Sequence, residues 1–462
     1  MLIEQLKTIV GSDSWTTDPE VLAPHLSEWR DLWRGKTLIM VSPNSTDEVA
    51  ALVSACRAAN TAIVPQGGNT GLCGGAIPDE SGKQVLVSLS RMNRVRQVSA
   101  DDHSMVVEAG CTLSAVQAAA AEANRFFPLS LGAEGSCQIG GNISTNAGGI
   151  NVLRYGNARS QVLGLEVVLA DGQVWNGLRQ LRKDNAGYDL KQLFIGSEGT
   201  LGIITAAALR MYPEVSNVRT ILFAVDSPDK AVQLLSFLRY RHGDQIQAFE
   251  LISDRAVRYV RRHVPSIRFP IEEHYPWYVL TELTNCEENS FLENVLVPAV
   301  ESGNAHEAVI AKNEGERQEM WRLRHTIPDI QKREGASLKH DVSVPTGSVP
   351  KFINAASDAV IKYMTDIRPV AFGHVGDGNI HFNLSQPVGS NPEKFLAHAE
   401  ALANIVYDVV EGLGGSFSAE HGIGQAKRHY LEHYRGQVDL ELMRSIKGTL
   451  DPDNLLNPGK VL

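Results

Sequence analysis

The chain has 462 residues, of which 43% are hydrophobic and 21% are charged, and its formal net charge is -10. This length exceeds one ordinary hydrophobic core, so we expect two or three soluble, globular domains. The acidic balance argues against nucleic acid as a partner, because neutralising phosphates needs a basic surface.

The sequence lacks the features of a membrane or exported protein. No apolar run approaches the roughly 18 residues that a membrane span needs. The first residues, MLIEQLKTIVGSDSW, resemble neither a signal peptide nor an arginine-rich transit segment, so we expect a cytoplasmic location. The cysteines form no C-x-x-C pair and are predicted to be reduced thiols without a chemical role. They are Cys56, Cys73, Cys111, Cys137 and Cys286.

The first predicted elements are a helix, a strand and a glycine-rich loop. The helix lies in SPNSTDEVAALVSACRAAN, where Ser45 or Thr46 precedes apolar residues at helical spacing and serves as the cap. It runs into the strand TAIVP and the loop QGGNTGLCGG. A hairpin is predicted further on, in VLGLEVVLADGQVWNG, with its turn at Asp171 and Gly172.

Two loops are unusually rich in glycine. Residues 66–75 contain five glycines, and residues 132–149, GAEGSCQIGGNISTNAGG, contain six. Such loops favour a dinucleotide ligand, because backbone N–H groups without side chains can surround a pyrophosphate. Mobile surface loops are the alternative. Neither loop has the G-x-G-x-x-G pattern of a Rossmann turn, which disfavours that fold.

The second half of the chain has a different composition. From about residue 217 there are fewer glycines, and strands are predicted in RTILFAV, PWYVLTEL and AHEAVIA. This pattern predicts an α+β domain built on an antiparallel sheet. The last stretch, from GGSFSAEHGIGQAKR to LDPDNLLNPGKVL, is again rich in glycine and asparagine and is expected to fold back onto the first half. The predicted domains are therefore residues 1–215, 216–414 and 415–462.

A histidine pair flanks a strong turn signal in AFGHVGDGNIHFNL, residues 371–384. With Asp377 and Gly378 at the tip of a two-residue turn, His374 and His381 would lie directly opposite each other on one face. Both imidazoles would then reach one ion. The alternative is an exposed pair, or a buried pair that is hydrogen-bonded.

Such an ion needs a third ligand. Asn383 would share the face of His381, and Glu420 in SAEHGIG offers a carboxylate. Two histidines and a carboxylate with an open position are typical of a catalytic metal site.

Four longer motifs occur in order in the first half: PQGGNTGLCGG, GSCQIGGNISTNAGG, LRYGNARSQVLGLEVVLADG and KQLFIGSEGTLGIIT. Over roughly residues 35–215 they resemble the FAD-binding domain of the vanillyl-alcohol oxidase and p-cresol methylhydroxylase superfamily. The resemblance implies an α+β protein with a two-subdomain PCMH-type FAD-binding domain. It also implies an antiparallel-sheet substrate (cap) domain and a C-terminal segment that returns to the FAD domain.

The same resemblance implies which residues contact FAD. The first loop would surround the diphosphate, and the later motifs would line the flavin and the adenine. The implied contacts are Pro65, Gly67, Gly68, Asn69, Thr70, Gly71, Gly74, Gly75, Gly135, Ser136, Gly140, Gly141, Asn142, Thr145, Gly148, Gly199, Ile204 and Asn457. Some family members tether the flavin through a histidine in the first loop. This loop contains Asn69 and no histidine, so non-covalent FAD is expected.

The motif GHVGDGNIHFN, followed later by SAEHGIG, resembles the metal-dependent D-2-hydroxy acid dehydrogenases of this superfamily. The resemblance implies His374, His381 and Glu420 as ligands of one zinc or manganese ion. His421 corresponds to the family's active-site base; the alternatives are a contact with the flavin and a residue that only supports the groups of the site. The ion would polarise the substrate hydroxyl while His421 takes its proton.

Two cations have counterparts that bind substrate in the D-2-hydroxyglutarate dehydrogenases. These are Arg324 on a predicted helix and Lys339 at the start of a predicted strand, and the resemblance implies that they bind substrate carboxylates. Asn383 is a further predicted substrate contact. Solvated surface charge is the alternative for both cations. Where family members can have a threonine four residues after the arginine, this chain has Pro328, which removes a hydroxyl contact.

The resemblance therefore implies oxidation of D-2-hydroxyglutarate to 2-oxoglutarate with FAD and a divalent metal. A D-lactate or glycolate dehydrogenase is the alternative within the superfamily. A zinc hydrolase and a non-enzymatic nucleotide-binding module are alternatives from other classes. Besides the small dicarboxylate, the expected partner is an electron acceptor that the sequence does not identify, with an electron-transfer flavoprotein and a quinone as candidates, and a homodimer is compatible with the sequence.

Overall fold

The computed structural model describes residues 1–285 and 292–462, so Cys286 lies outside the described residues. The strands in these ranges are β1 (Trp15–Thr16), β2 (Ile39–Val41), β3 (Ile63–Gln66), β4 (Val85–Ser88), β5 (Val95–Ser99), β6 (Ser104–Glu108), β7 (Arg125–Phe126), β8 (Val162–Val168), β9 (Val174–Gly177), β10 (Ile203–Arg210), β11 (Tyr212–Pro213), β12 (Arg219–Val225), β13 (Ile246–Ser253), β14 (Trp277–Leu283), β15 (Glu307–Ile310), β16 (Ser337–Leu338), β17 (Asp341–Ser343), β18 (Arg368–Gly373) and β19 (Asn379–Ser385).

The helices in the same ranges are α1 (Leu2–Val10), α2 (Pro19–Leu22), α3 (Thr46–Ala58), α4 (Leu113–Glu122), α5 (Ile139–Ser144), α6 (Val152–Tyr155), α7 (Ala158–Gln161), α8 (Lys191–Phe194), α9 (Pro228–His242), α10 (Asp254–His263), α11 (Val297–Glu301), α12 (Glu314–Ile330), α13 (Val349–Tyr363), α14 (Pro392–Leu396), α15 (Ala399–Glu411), α16 (Arg428–Tyr434) and α17 (Gln437–Leu450). Short 3-10 turns occur at Ala23–His25, Gly243–Gln245, Gln331–Glu334 and Thr346–Ser348, and a π-helical turn occurs at Leu292–Leu296. Across the described ranges, no helix is both long and apolar enough to cross a membrane.

The chain divides into two compact units. The first comprises residues 1–148, 156–214 and 420–462, and the second comprises residues 149–155 and 215–419. Each unit contains both helices and sheets, which confirms the predicted α+β class.

Two sheets form the frame of the first unit. One has the order β1-β2-β4-β3, in which β2, β4 and β3 run parallel, and the other is antiparallel with the order β5-β6-β10-β8-β9. A cluster of buried apolar side chains joins both sheets to α1 and α3. The cap of α3 is Ser45, whose side chain accepts the Glu48 N–H at 3.2 Å. The predicted strand and the glycine loop that follow α3 are therefore held on a packed frame.

The C-terminal residues extend the parallel sheet of the first unit. The Ile63 N–H donates to the Leu455 carbonyl at 2.9 Å, and the Asn457 N–H donates to the Ile63 carbonyl at 2.8 Å. Leu456 is fully buried in the same apolar cluster. The end of the chain is thus an integral part of this unit.

The predicted hairpin at Asp171 is confirmed. Strands β8 and β9 pair antiparallel with Val168 opposite Val174, and the Gly172 N–H donates to the Leu169 carbonyl at 2.9 Å. Gly172 has a φ of +84°, a conformation that favours glycine.

The second unit is built on one antiparallel sheet, as predicted. Its order is β15-β12-β14-β13-β18-β19-β16, and β17 also pairs with β19. Helices α10 and α12 pack against it through apolar residues that include Val257, Val260, Leu323 and Ile327. The strands predicted in RTILFAV, PWYVLTEL and AHEAVIA correspond to β12, β14 and β15.

The predicted register of the histidine hairpin is wrong by two residues. Phe372, not His374, lies opposite His381 in the pairing of β18 with β19. The pairing with β19 ends at Phe372, strand β18 ends at the next residue, Gly373, which has a φ of +139°, and the chain then continues beside β13. There the Gly376 N–H donates to the Phe249 carbonyl at 3.3 Å. His374 is therefore in the connection between the strands, and the two-residue turn does not form.

Candidate active site

A cavity of about 880 Å³ lies in the first unit, between the two glycine-rich loops and the start of β10. Many predicted FAD contacts line it: Pro65, Gly67, Gly68, Asn69, Thr70, Gly71, Gly75, Gly140, Gly141, Asn142, Thr145, Gly199 and Ile204. His421, the predicted base, also lines this cavity.

The remaining predicted contacts do not line the cavity; they are Gly74, Gly135, Ser136, Gly148 and Asn457. Asn457 instead holds two segments of the wall, because its side-chain nitrogen donates to the Gly75 carbonyl at 2.9 Å and the Glu198 carbonyl at 2.8 Å. Gly148 packs against the Glu420 carboxylate, so a larger residue there would displace that side chain.

The glycines of the two loops serve two different purposes. A side chain on Gly68 would overlap the Ser136 carbonyl, and a Cβ on Gly140 would lie 2.7 Å from the Ala109 Cβ. These two glycines therefore allow backbone segments to pack closely. In contrast, a Cβ on Gly71 or Gly141 would have no described atom within 4 Å. Since both line the cavity, glycine there leaves room for a ligand.

Two buried polar atoms in the cavity-lining residues also point to a ligand. Gln138 Oε1 and Asn142 Oδ1 have no hydrogen-bond partner within the described part of the chain. Buried acceptors are normally satisfied, so these two atoms suit a ligand that carries N–H or O–H donors. The position of Gln138 in the cavity wall could not be predicted from the sequence, in which only the glycines around it indicate a ligand.

Asn69 has a structural reason to be asparagine. Its φ is +52°, a left-handed conformation that asparagine tolerates better than most residues. Its side-chain nitrogen donates to the carbonyls of Pro24 at 3.1 Å and Ser27 at 2.9 Å. The side chain thus anchors the first loop to residues 24–27.

Glu198 is a half-buried residue at the cavity wall that was not predicted from the sequence. Its two oxygens accept the N–H groups of Ile423 at 2.7 Å and Gly424 at 2.8 Å, just after His421 in the chain. Burial raises the pKa of Glu198, although these two N–H groups favour the charged form. Glu198 therefore fixes the backbone that follows His421. An acidic residue inside the glycine-rich motif GSEGTLG was the available signal.

In the second unit, Glu250 of β13 joins two of the predicted site residues. Its Oε1 accepts a hydrogen bond from His374 Nδ1, and its Oε2 accepts one from Arg324 Nε at 2.6 Å. Glu250 is fully buried and Arg324 is buried. Burial by itself would raise the pKa of Glu250, but His374 and Arg324 outweigh it and hold that pKa below its usual range.

His381 has its own buried carboxylate. Its Nδ1 lies 3.5 Å from Asp341 Oδ1, and Asp341 also accepts a hydrogen bond from the Asn379 side chain at 2.9 Å. The rings of His374 and His381 are 5.5 Å apart between centroids and inclined by 76°. The structure thus brings the two histidines together although their register was mispredicted.

The donor set of these histidines suits a divalent ion. Metal-binding histidines usually place a carboxylate or carbonyl against the ring nitrogen that does not bind the metal. Glu250 and Asp341 occupy such positions at the Nδ1 atoms of His374 and His381. Each Nε2 is then the nitrogen that would coordinate the ion.

The predicted third ligand follows this region directly in the chain. The Ala419 N–H donates to the Asp341 carbonyl at 3.2 Å, at the end of the second unit. Glu420 and His421 come next and begin the C-terminal part of the first unit.

The other predicted substrate contacts have partners within the second unit. Asn383 is buried, and its side-chain nitrogen donates to Gln331 Oε1 at 3.1 Å. Lys339 lies between β16 and β17 rather than at the start of a strand, which corrects the prediction. Its ammonium donates to the Pro328 carbonyl at 2.7 Å, near the C-terminal end of α12, where a cation is favourable.

Two protein-family models together match most of the chain. Residues 37–177 match the FAD binding domain, and residues 214–461 match the C-terminal domain of FAD linked oxidases. The second match alone covers more than half of the chain.

Curated relatives are similar over most of their length. The mitochondrial D-2-hydroxyglutarate dehydrogenase of Bos taurus is 39% identical over 96% of this chain and 80% of its own. The D-2-hydroxyglutarate dehydrogenase of Xanthomonas citri pv. viticola is 38% identical over 96% of this chain and 93% of its own. The mitochondrial D-2-hydroxyglutarate dehydrogenase of Arabidopsis thaliana is 36% identical over 100% and 81%.

Solved structures share the fold at low identity. Substrate-bound p-cresol methylhydroxylase superposes with a TM-score of 0.78 at 18% identity, over 100% of this chain and 96% of its own. An alkyldihydroxyacetonephosphate synthase superposes with a TM-score of 0.75 at 18% identity, over 99% and 84%. These likenesses confirm the predicted PCMH-type fold.

Proposed function

The chain belongs to the FAD-linked oxidases, and from this membership we propose that it oxidises D-2-hydroxyglutarate to 2-oxoglutarate. Relatives with that name match over most of their length. The structural observation that carries the proposal is the buried group Arg324–Glu250–His374. Through Glu250, this group connects Arg324, a cation that can bind a carboxylate, with His374, a histidine that can bind a metal ion. Family membership leaves the hydrolase and nucleotide-module alternatives without support.

The residues around the cavity of the first unit fit FAD. The backbone of residues 67–71 would surround the diphosphate, and the orphaned acceptors of Gln138 and Asn142 would receive ring or ribose donors. When bound, FAD supplies the acceptor for the hydride that leaves the substrate carbon. His421 lines the same cavity and is the proposed base for the substrate hydroxyl proton.

Gly141→Leu should weaken FAD binding about ten- to a hundredfold, because a side chain there enters the cavity and overpacking costs roughly 1–3 kcal/mol. Its backbone is helical and its Cβ direction is open, so the fold should tolerate leucine. The matched control is Gly448→Leu in α17, which also has open space around its Cβ. Flavin is measured in the supernatant after acid precipitation. Equal flavin contents in the two variants, or flavin retained in the pellet of the unsubstituted protein, would contradict non-covalent binding at this cavity.

We propose His374, His381 and Glu420 as the ligands of one divalent ion, zinc or manganese. The ion would supply Lewis acidity at the substrate hydroxyl. Glu250 and Asp341 hold the Nδ1 sides of the two histidines and so orient the Nε2 atoms. The arrangement of the two histidines supports them as ligands. Glu420 is assigned as the third ligand from the SAEHGIG motif.

Arg324, Lys339 and Asn383 are the proposed substrate contacts. The Arg324 side chain is fixed by its Nε bond to Glu250, and its two terminal nitrogens make no hydrogen bond to the described residues. They suit a carboxylate that needs two parallel donors. Lys339 carries three donors, so its bond to the Pro328 carbonyl is compatible with a second carboxylate contact.

Anaerobic addition of D-2-hydroxyglutarate to the purified yellow protein should bleach the flavin absorbance, because hydride transfer reduces the bound FAD. D-lactate and glycolate should bleach it far more slowly at equal concentration, since neither has a distal carboxylate for Arg324. The L-enantiomer of 2-hydroxyglutarate is the control for stereospecificity. Faster bleaching by D-lactate or glycolate would replace the dicarboxylate assignment with the monocarboxylate alternative.

Three features of the proposal remain predictions. The electron acceptor is expected to be an electron-transfer flavoprotein or a quinone, and a homodimer is compatible with the sequence. A cytoplasmic location is also a prediction, and several relatives are described as mitochondrial.

A further inference from the structure

We propose that Glu250 is a positioning residue that couples metal binding to recognition of the substrate's distal carboxylate. It would do so by fixing His374 and Arg324 with one carboxylate. The roles of those two partners rest on the proposed function. The role of Glu250 rests on its burial and on its contacts.

Both oxygens of Glu250 are used, and each by a different partner. Oε1 bonds to His374 Nδ1 and Oε2 bonds to Arg324 Nε at 2.6 Å. Glu250 is fully buried in β13, so bulk water does not reach its carboxylate. The carboxylate therefore cannot rotate or move toward one partner without leaving the other unsatisfied.

The contact with His374 sets which ring nitrogen faces a metal. A carboxylate against Nδ1 keeps the proton there and leaves Nε2 as the coordinating atom. His374 lies in the connection after Gly373, outside the β18–β19 ladder, so backbone pairing in that ladder does not orient its ring. Glu250 supplies that orientation, and its negative charge makes the imidazole a stronger ligand.

The contact with Arg324 sets the direction of the guanidinium. The Arg324 Nε bond to Glu250 is accompanied by a cation–π contact, in which the Arg324 Cζ lies 4.9 Å from the ring centroid of Phe372. Phe372 is opposite His381 in the sheet, and its ring centroid is 5.1 Å from that of His381. Phe372 therefore lies beside both the Arg324 guanidinium and the His381 ring, while Glu250 binds both the guanidinium and His374.

The same sheet contains a matched control. Glu282 of the adjacent strand β14 is also buried, and its Oε1 accepts hydrogen bonds from Arg317 Nε at 2.7 Å and Trp321 Nε1 at 2.5 Å. Arg317 belongs to α12, the helix that carries Arg324. Glu282 therefore reproduces the burial and the arginine contact of Glu250 without a histidine.

The experiment compares Glu250→Gln with Glu282→Gln in the FAD-loaded, metal-free protein. Zinc affinity is measured by competition with a chromophoric chelator, and thermal unfolding is measured alongside. We expect the dissociation constant for zinc to rise about ten- to a hundredfold in Glu250→Gln, as is typical when a metal-binding histidine loses its carboxylate partner. Glu282→Gln should bind zinc within about twofold of the unsubstituted protein. Equal zinc affinity in the two variants would overturn the proposal.

Substrate discrimination gives a second readout. In Glu250→Gln, the kcat/KM for D-2-hydroxyglutarate should fall more than that for D-lactate, because Arg324 loses its fixed direction. If Glu250→Gln leaves the ratio of the kcat/KM values for the two acids unchanged, the proposed coupling to Arg324 is wrong. The zinc measurement involves no substrate, so it stands even if the dicarboxylate assignment fails.

A third variant covers the case in which Glu250→Gln does not fold. Glu250→Asp keeps the charge but shortens the side chain by one methylene, so it cannot reach both partners. Its zinc affinity should be below that of the unsubstituted protein and of Glu282→Gln. Native zinc affinity in Glu250→Asp would overturn the proposal.

Discussion

His381→Ala should reduce turnover of D-2-hydroxyglutarate by about a thousandfold or more, because the proposed ion supplies several kcal/mol of charge stabilisation at the reacting oxygen. FAD content should stay unchanged, since His381 does not line the cavity of the first unit. Turnover is measured by steady-state kinetics, metal content by elemental analysis and FAD content from the visible spectrum. The unsubstituted protein should lose its activity on chelator treatment and regain it with zinc or manganese.

The control for this variant is His398→Ala. His398 is an exposed histidine of the same unit whose Nδ1 lies 2.9 Å from the Tyr363 hydroxyl. Its replacement should leave turnover and metal content unchanged. Full activity in protein shown to be metal-free would contradict the metal requirement, and loss of flavin in His381→Ala would contradict the assignment of FAD to residues of the first-unit cavity alone.

Arg324→Ala should reduce the kcat/KM for D-2-hydroxyglutarate about ten- to a hundredfold, because a charge-assisted hydrogen bond of roughly 1.5–3 kcal/mol is lost. The loss for D-lactate should be small, since its methyl group offers no distal carboxylate. Part of the loss should fall on kcat, because binding at the distal end also positions the reacting carbon. Lys339→Ala should likewise reduce the kcat/KM for D-2-hydroxyglutarate more than that for D-lactate.

The structure adds a second effect of Arg324→Ala. It leaves Glu250 buried with one oxygen unpaired, and breaking a buried ion pair costs roughly 3–5 kcal/mol of stability. This cost is common to both substrates, so it cancels in the ratio of their kcat/KM values. Arg324→Lys keeps a charge beside Glu250 but lacks the planar fork, and should lose discrimination with less loss of stability. An equal fall for both acids in Arg324→Ala would refute the dicarboxylate assignment.

The elements that follow local rules could be predicted from the sequence. The cap at Ser45, the hairpin at Asp171 and the strands of the antiparallel sheet each depend on a few neighbouring residues. The register of the histidine hairpin does not. It depends on the backbone of Gly373 and on a bond from Gly376 to β13, which is more than a hundred residues away in the chain.

The buried carboxylates were missed because single acidic residues form no motif. Glu250 stands in QAFELIS, where every position of the strand is buried. A carboxylate in such a strand requires a partner, so an isolated acid in an apolar run was the usable signal. Its partners, His374 and Arg324, lie 124 and 74 residues away, and only the fold reveals them.

The discontinuous first unit has a consequence for biosynthesis. Asn457 ties the Gly75 and Glu198 carbonyls together, and Leu455 pairs with β3, so parts of the cavity wall that are synthesised early are joined by residues that are synthesised much later. Chains leave the ribosome from the N-terminus at about 5–20 residues per second. All of residues 215–419 therefore emerge before the cavity wall can close. We therefore expect stable capture of FAD in this cavity only after residues 455–457 have been synthesised.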